Sequence, residues 1–439
     1  MVDARWTPAK APAAAQEIAG CSRRADLADL ALALQDCRET SLGLYAAFER
    51  ALPGPRPMVP LAAGLNPPLW ELGHIAWFQE YWLARNTERH RGAAADPDAS
   101  RRASRLAQAD AWYDSSRVAH GARWQLPLPD AGRTREYLAG TLEDTLALLA
   151  GQGRDAARTI SGADGAGPGL GYFAWLALSH EDMHGEAALI MANRLGVPVD
   201  AAAPVARGSA GTLEFAPAGF DLGSAASAGA QPEYAFDNEL PARRVALRAC
   251  SIDRVPVSNA AYADFVNAGG YEDAQWWTDS GWAWRSQCAA RWPRFWRRAG
   301  SRWQQCWFSR WMDVADAAPV SNVNLHEAQA WCRWAGRRLP DEAQWERAAL
   351  DPPAPGAAPF DWGQVWEWTS SAFLPYPGFT AHPYRDYSRP WFGSHQVLRG
   401  ASFATHARMR HPRYRNFYLP ERNDIFAGFR SCAVDPSDP

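Results

Sequence analysis

Residues 171–195, GYFAWLALSHEDMHGEAALIMANRL, have the apolar spacing of a long amphipathic helix, and Gly196 and Pro198 predict its end. Two histidines, His180 and His184, stand four residues apart within this segment. Side chains at positions i and i+4 share one face of a helix, and here that face continues the apolar stripe. Because two buried imidazoles side by side are costly without a shared partner, the pair predicts a metal site inside a helical bundle.

Three segments upstream have the same helical character. Residues 24–52 and 134–149 keep apolar side chains at helical spacing. Pro67 and Pro68 open the segment LWELGHIAWFQEYWLARN, and proline is common at the start of a helix. Four amphipathic helices joined by long connections predict a four-helix bundle over residues 1–198.

A third histidine is predicted to face the core of this bundle. His74 has aromatic neighbours at helical spacing on both sides. Alone it would be an ordinary packed histidine, but beside His180 and His184 it completes a three-histidine metal site. Three neutral imidazoles leave open coordination positions, and zinc, iron and copper all accept imidazole, so the spacing does not choose the metal.

The segment from His180 to His184 also reads HExxH, the zinc-protease signature. Proteases of this kind add a nearby glycine and third histidine, or a glutamate further along the chain. Here Ala187 and Ala188 follow the pair, and no acidic residue stands between Asp200 and Glu214. A zinc protease is therefore the weaker interpretation.

Charge and composition exclude several classes of protein. The 439 residues carry 45 Lys and Arg against 48 Asp and Glu, and a net charge of −3 gives no reason to expect nucleic acid or an anionic membrane as partner. No apolar run is long enough to cross a bilayer, and the N-terminus lacks the apolar core of a signal peptide. The 7 cysteines include no CxxC pair and are typical of reduced thiols. We expect a cytoplasmic protein.

The second half of the chain differs from the first in composition and in hydrophobic periodicity. Residues 199–212 are rich in small residues, Pro and Gly, and predict a linker. Residues 213–439 alternate short segments with Gly, Pro, Trp and Asn, and helical patterns are confined to residues 258–268, 325–336 and 341–350. These features predict an α+β domain rich in loops, and an α+β multidomain protein as a whole.

Tryptophan is unusually dense between residues 276 and 311. Basic residues interleaved with aromatic ones can bind single-stranded nucleic acid. The balanced charge of the chain instead favours aromatic anchors for long loops, with arginines stacked on them.

Several motifs of the second half carry a family resemblance. In order, they are NLHEAQAWC (324–332), LPDEAQWERAA (339–349), GQVWEWTS (363–370), RGASF (399–403) and AGFR (427–430). They resemble the formylglycine-generating-enzyme-like domain, a variant of the C-type lectin fold, from about residue 211 to the end. The first half, with His74, His180 and His184, resembles the DinB-type four-helix bundle. Both in tandem are characteristic of the ergothioneine-pathway sulfoxide synthases.

The resemblance implies a cofactor and a reaction. Enzymes of this family hold Fe(II) with three histidines and use O2 to join a thiol to C2 of the imidazole of hercynine, Nα-trimethylhistidine. By motif, the iron ligands are His74, His180 and His184. Glu186, two residues beyond the pair, is expected either to orient a histidine ligand or to face solvent.

The resemblance also implies residues that meet the substrate. Asn416 aligns with a residue that hydrogen-bonds hercynine, and Phe417 with one that faces its trimethylammonium group. The family uses a tyrosine near the iron as proton donor, and Tyr376 and Tyr418 are both candidates.

Two departures from the family pattern concern the second substrate. Where typical members carry a tyrosine pair and two arginines for a dianionic thiol, this chain reads Asp-Ser-Ser-Arg at residues 114–117, then Arg123 and Leu126. The segment WELGH (70–74) also differs from the usual WHLAH. Both features resemble the selenoneine synthase branch, whose donor is a selenosugar, and Arg123 is then a substrate-binding residue. The alternatives are an ergothioneine-type synthase that uses γ-glutamylcysteine or cysteine, and a non-catalytic binding module.

Overall fold

The N-terminal region of the chain is a helical bundle. The computed structural model describes residues 23–54, 56–155, 169–205, 207–225, 233–351 and 358–434. The bundle helices are α1 (Leu27–Ala51), α2 (Pro68–Trp82), the short α3 (Ala109–Tyr113), α4 (Ala131–Asp155) and α5 (Gly169–Leu195). The predicted four-helix bundle is confirmed. No helix in these described ranges is long and apolar enough to cross a bilayer.

Local sequence explains where the bundle helices begin and how closely they pack. The side chain of Asp26 accepts hydrogen bonds from the backbone of Ala28 and Asp29, which caps α1. Pro68 occupies the first turn of α2, where a missing N–H costs nothing. A β-carbon on Gly73 would lie 2.1 Å from the ring of Tyr113, so only glycine allows α3 to pack this closely against α2.

The C-terminal region combines short strands and helices. Its helices are α6 (Asn259–Asn267), α7 (Asp279–Cys288), α8 (Leu325–Trp334) and α9 (Glu342–Leu350). Its strands are β1 (Thr212–Phe215), β2 (Ala218–Leu222), β3 (Arg243–Leu247), β4 (Cys250–Asp253), β5 (Trp296–Ala299), β6 (Arg302–Trp307), β7 (Arg310–Asp313), β8 (Arg337–Arg338), β9 (Trp366–Ala372), β10 (Gln396–Gly400), β11 (Asn416–Tyr418), β12 (Ala427–Gly428) and β13 (Cys432–Ala433).

These strands form several small sheets. Two four-stranded sheets have the orders β1-β4-β13-β8 and β11-β10-β9-β12, while β2 pairs with β3 and β5, β6 and β7 form a meander. The mixed helix and sheet content agrees with the predicted α+β class. Helices α8 and α9 both begin with capping boxes, at Asn324 and Asp341, within two of the motifs that carry the resemblance.

One element of this region differs from the sequence expectation. Helix α7 was not predicted, because DSGWAWRSQC has no continuous apolar stripe and only Gly281 of it is buried. The side chain of Thr278 accepts a hydrogen bond from the backbone of Gly281 and so caps the helix. In the same Trp-rich stretch, Trp296 and Trp307 are buried and the Arg297 guanidinium lies 3.9 Å over the ring of Trp311, as expected of aromatic anchors.

Buried ion pairs hold the C-terminal core together. Arg399 is fully buried and donates to Glu342 at 3.0 Å and to Glu346 at 2.8 Å. Arg430, also fully buried, pairs with both carboxylate oxygens of Glu367. Buried charges persist only when they are paired. The acidic and basic residues of the family motifs that form these pairs therefore have a structural role.

Polar contacts join the bundle to the C-terminal region. Asp182 of α5 accepts two hydrogen bonds from Arg408, at 2.7 and 2.8 Å, and the same arginine reaches Asp36 of α1 at 2.8 Å. Near the start of the described chain, Arg23 forms a buried pair with Glu239. These contacts fix how the bundle core meets the loops of the second region.

The cysteines of the described residues are unpaired. Cys250 and Cys432 come closest, with their Sγ atoms 3.6 Å apart. Cys21 lies outside the described residues.

Candidate metal centre

Helices α2 and α5 bring the three predicted histidines together. One ring nitrogen from each of His74, His180 and His184 lies within 4.8 Å of the others, and Nε2 of His180 is 3.2 Å from Nε2 of His184. Two nitrogens each about 2.1 Å from one ion, at a right angle to each other, would be about 3.0 Å apart. The spacing therefore fits a shared metal ion.

Two of the three imidazoles are oriented by hydrogen bonds to their other nitrogen. Nδ1 of His74 donates to the backbone carbonyl of Tyr113 at 2.7 Å, and Nδ1 of His184 donates to a carboxylate oxygen of Glu71. A proton on Nδ1 leaves the lone pair of Nε2 free for a metal. Glu71 was not predicted as a partner, because its place one turn before His74 becomes informative only once α5 lies beside α2.

Glu71 is itself held in place by a chain of hydrogen bonds. The amide of Asn66 donates to Glu71 at 2.5 Å, and Arg123 donates to the amide oxygen of Asn66 at 2.9 Å. A chain of hydrogen bonds thus runs from Arg123, in the segment that departs from the family pattern, to His184, a candidate metal ligand.

Burial keeps His74 and His180 neutral, which is the form of imidazole that binds a metal ion. His74 and His180 are only 3% and 4% exposed. Burial lowers the pKa of His74 to about 3 and lowers the pKa of His180, with the neighbouring imidazoles adding to the effect. Neutral imidazoles offer lone pairs to a metal ion. A bound ion would be a shared partner that offsets the free-energy cost of burying them.

Aromatic rings from the bundle and from the C-terminal region surround the three histidines. Trp70 stacks on His74 with ring centroids 4.8 Å apart, and Phe78 stacks on His180 at 3.5 Å. Tyr384, from the loop between β9 and β10, lies 4.9 Å from Phe78 and 6.2 Å from His180. Sequence reasoning missed Tyr384 because it lies between the recognised motifs and no local pattern separates it from the other tyrosines.

The two tyrosines singled out from the sequence lie elsewhere. The hydroxyl of Tyr376 donates to Glu342 at 3.2 Å, and its ring belongs to a small separate core with Leu222 and Leu247. Tyr418 lies on β11, where the Arg422 guanidinium covers its ring at 5.3 Å. Neither has a ring contact with the histidines within the described residues.

The strand β11 separates the two residues expected to meet hercynine. Alternation along a strand directs Asn416 and Tyr418 to one face and Phe417 to the other. The ring of Phe417 stacks on Phe373 at 4.1 Å, and the side chain of Asn416 accepts a hydrogen bond from the backbone of Phe417. The structure therefore does not bring Asn416 and Phe417 side by side.

Glu186 takes neither of its two expected roles. It is buried, and its carboxylate accepts hydrogen bonds from Trp366 at 2.7 Å, Ser402 at 2.6 Å and Thr405 at 2.7 Å, all in the C-terminal region. It therefore neither orients a histidine nor faces solvent. The sequence spacing relative to His184 was misleading, because residues two apart point to different sides of a helix.

The protease interpretation loses its general base. In an HExxH protease the glutamate activates a water molecule on the metal. Here Glu181 is 1% exposed and forms a bidentate pair with Arg38, at 2.8 and 3.0 Å. Its carboxylate is committed to the bundle core and cannot serve a substrate at the histidines.

Arg123 lies at the edge of the metal site. Its guanidinium is 4.0 Å over the ring of Trp70, the same ring that stacks on His74. Its Nε is buried and has no hydrogen-bond partner within the described residues. Asp114 and Arg123 are also near enough to Tyr384 to act on its phenol by charge. The segment that departs from the family pattern thus borders the histidines.

Comparison with known proteins divides the chain into two matched parts. Residues 33–188 match the model of the DinB superfamily, and residues 210–354 and 361–435 match that of the sulfatase-modifying factor enzyme 1-like domain. A hercynine oxygenase of Mycolicibacterium thermoresistibile is 34% identical, over 92% of this chain and 94% of that protein. A hercynine oxygenase of Mycolicibacterium smegmatis is 33% identical, over 83% and 90%. Among solved structures, PvdO from Pseudomonas aeruginosa covers 50% of this chain and 93% of its own at 14% identity, with a TM-score of 0.32.

Proposed function

Because this chain belongs to the hercynine oxygenase family, we propose that it is an Fe(II)- and O2-dependent enzyme that forms a C–Se bond at C2 of the hercynine imidazole, with a selenosugar as donor. The observation that carries the proposal is the cluster of His74, His180 and His184, walled by rings from both regions. In balanced form, the C2–H and Se–H bonds break, a C–Se bond forms, one oxygen atom ends on selenium and the other leaves as water.

The three histidines would hold the iron, and Fe(II) bound there supplies O2 activation and stabilises a selenolate or thiolate. The hydrogen bonds from Nδ1 to Tyr113 and Glu71 fix the two rings in the required tautomer. Trp70, Phe78 and Tyr384 exclude bulk water from the faces of the His74 and His180 imidazoles. Asn416 remains our candidate for a hydrogen bond to hercynine.

Tyr384 is the proton donor in this proposal. Burial raises the pKa of its phenol, the carboxylates of Asp386 and Asp114 raise it further, and Arg123 opposes them, so Oη carries its proton at neutral pH. Its ring lies against His180 and Phe78, whereas the hydroxyl of Tyr376 is committed to Glu342. Geometry thus favours Tyr384 over both tyrosines chosen from the sequence.

The surroundings of Arg123 support a donor with little charge. Arg123 is engaged with Asn66, and Arg117, which is exposed, pairs with Asp114 at 3.2 Å. A dianionic thiol would need a second guanidinium, and the position that carries it in relatives is Leu126 here. Hydroxyl groups of a selenosugar need only neutral or single polar partners, such as Ser115, Ser116 or Asp114.

A second candidate is the sulfur reaction with γ-glutamylcysteine or cysteine. It is favoured by the high coverage of relatives named hercynine oxygenase. The pattern of Arg123 and Leu126, with one arginine where relatives carry two, argues against it, because an uncompensated desolvated carboxylate costs a few kcal/mol.

One assay separates the two candidates. The protein is reconstituted with Fe(II) without oxygen, then given hercynine and O2 with selenoglucose, thioglucose, cysteine or γ-glutamylcysteine in parallel, and products are read by mass spectrometry. We expect kcat/KM for selenoglucose to exceed that for γ-glutamylcysteine by about 100-fold, the equivalent of about 2.7 kcal/mol. Preference for γ-glutamylcysteine would establish the second candidate instead.

Variants of the ligands test the metal assignment independently. His74→Ala, His180→Ala and His184→Ala should each lose bound iron and turnover and keep the helical circular dichroism. His90→Ala, at an exposed histidine, is the matched control and should retain both. Full iron content in the His184→Ala protein would refute the three-histidine site.

A further inference from the structure

A groove of about 500 Å³ opens in the C-terminal region, away from the histidines. It is formed by the end of β3, by α8, β8 and the start of α9, and by the middle of β9. Its lining residues that matter here are Arg248, Arg333, Arg337, Arg338, Asp341 and Ser370. These elements carry neither the three clustered histidines nor Tyr384, so the proposed reaction leaves the groove without a role.

The described lining of the groove is rich in arginine, whereas the chain as a whole has a balanced charge. Among its described lining residues, four carry guanidinium groups and one, Asp341, carries a carboxylate. Asp253, which pairs with Arg337 at 2.6 Å, adds a second carboxylate among the described residues at this groove. The whole chain carries a net charge of −3. A cleft lined by one sign of charge concentrates counter-ions of the other sign.

The deeper arginines are held in fixed positions. Arg337 donates to Ser431 through Nε at 3.0 Å and to Asp253 through a terminal nitrogen. Arg338 donates to the side chain of Gln344 at 3.0 Å and to the carbonyl of Leu339 at 3.2 Å. Arginines already ordered by the fold lose little further side-chain freedom when a ligand binds.

The outer arginines are open to solvent. Arg248 and Arg333 are exposed, and within the described residues Arg333 has no ion pair. Guanidinium groups match phosphate oxygens with paired hydrogen bonds, and a volume near 500 Å³ is within the range of small-molecule sites. A nucleic acid would need a longer basic surface, which the balanced charge of the chain does not indicate.

We propose that the Arg248–Arg333–Arg337–Arg338 groove is a binding site for a small phosphate-bearing molecule, separate from the metal centre. Phosphate esters and free pyrophosphate share the chemistry that the arginines recognise. The ligand binds through its phosphate oxygens, with Ser370 as a neutral partner at the edge.

Calorimetric titration of the full chain with pyrophosphate, in a phosphate-free buffer of low ionic strength, tests the site. We expect a Kd near or below about 1 mM that rises as salt is added, because the contact is electrostatic. Parallel titrations with inorganic phosphate, glucose 6-phosphate and ATP identify which phosphate-bearing class fits best. Failure to bind any of them at up to about 10 mM would refute the site.

Two variants and one control locate the binding. Arg333→Glu should weaken pyrophosphate binding by at least about tenfold, and Arg333→Lys by less, because the charge stays but the paired hydrogen bonds are lost. Arg310→Glu makes the same charge change on exposed β7, outside the groove, and should have little effect. Equal losses in Arg310→Glu and Arg333→Glu would mean a diffuse charge effect and would overturn the proposal.

A second variant keeps the test decisive if Arg333→Glu folds poorly by circular dichroism. Arg248→Glu then takes its place, since Arg248 is an exposed lining residue from a different element and its substitution should weaken pyrophosphate binding to a similar extent. Iron content and turnover with hercynine should stay at the level of the unaltered protein in every groove variant. Tight RNA binding abolished by the same variants, without pyrophosphate binding, would contradict a small-molecule site.

Discussion

Glu186 of α5 accepts a 2.7 Å hydrogen bond from the indole N–H of Trp366, at the start of β9. The same carboxylate accepts from the hydroxyls of Ser402 and Thr405. Burial raises the pKa of Glu186, and the three donors oppose that rise. Glu186, two positions from His184, thus anchors the bundle to β9 and to the loop that follows β10.

Removing this anchor should destabilise the whole protein. Glu186→Ala leaves three buried donors without an acceptor, and we expect a loss of about 3 kcal/mol in the free energy of unfolding, measured with urea. Glu186→Gln keeps an acceptor of the same shape and should cost clearly less. Equal stability of Glu186→Ala and the unaltered protein would show that the three hydrogen bonds contribute nothing net.

Glu71 should tune metal affinity without touching the metal. Its carboxylate accepts from Nδ1 of His184, and removal of such a partner typically weakens metal binding by about 10–100-fold. We expect that loss in Glu71→Ala, measured by anaerobic Fe(II) titration and by the visible absorption of bound Co(II). Glu71→Gln should retain part of the affinity, because its amide oxygen can still accept.

Glu39→Ala provides the matched control for Glu71. Glu39 is an exposed glutamate of α1, and its loss should leave Fe(II) and Co(II) affinity unchanged. If Glu71→Ala binds both metals as tightly as Glu39→Ala does, Glu71 has no role in orienting His184.

Tyr384 should be needed for turnover but not for metal binding. Tyr384→Phe keeps the ring contacts with Phe78 and His180 and removes only the hydroxyl. Loss of a proton donor typically lowers the rate by about 10²–10⁴-fold. We expect a fall of that size in kcat, with iron content unchanged.

Tyr376→Phe and Tyr418→Phe make the same chemical change at the two tyrosines chosen from sequence. Each should keep kcat within a factor of about three, since the hydroxyl of Tyr376 bonds to Glu342 and Tyr418 hydrogen-bonds to Asn416. A larger fall in either of them than in Tyr384→Phe would return the role to that residue.

Acid should loosen the contact between the bundle and the C-terminal region. Hydrogen bonding from His406 lowers the pKa of Asp36 to about 2; burial opposes this and Arg408 adds to it. A carboxyl whose folded pKa lies below its unfolded pKa of 3.8 stabilises the fold above that value. This contribution is lost as the pH falls from about 4 to about 2.

Urea unfolding at several pH values between about 2.5 and 5 measures this contribution. Asp36→Asn should lower stability at pH 5 and flatten the dependence on pH in that window. Asp264→Asn, at an exposed aspartate of α6, should leave the dependence as it is. An unchanged slope in Asp36→Asn would show that other carboxyl groups account for the acid sensitivity.

The sequence predicted what local periodicity encodes. Helical spacing identified the four long helices, and it placed His180 and His184 on one helix face with His74 turned toward the same core. The structure brings these three histidines together, and the metal ion itself stays a prediction. These predictions succeeded because each depends on residues within one helix or on the burial of one apolar face.

What the sequence did not predict depends on how separate segments meet. Glu71 becomes a partner of His184 only when α2 packs on α5, and Tyr384 reaches the site from a loop of the other region. Glu186 was assigned by its closeness to His184 along the chain, yet its side chain points to Trp366. Tertiary contacts of this kind leave no local pattern.

The connection between the two halves is also bridged by non-covalent contacts. These contacts lie near the N-terminal end of the connection. The side chain of Asn193 accepts a hydrogen bond from the backbone N–H of Phe308 at 2.7 Å, and the indole N–H of Trp307 donates to the carbonyl of Ala201 at 2.8 Å. Like the Arg408 and Glu186 contacts, these hydrogen bonds join the two regions directly. They do not depend on a continuous chain between residues 207 and 211. If the gene were split at that point, one polypeptide would contain one partner of each contact and the second polypeptide the other partner. The protein is therefore a candidate for fragment complementation. Neither fragment alone would contain both the histidines and Tyr384.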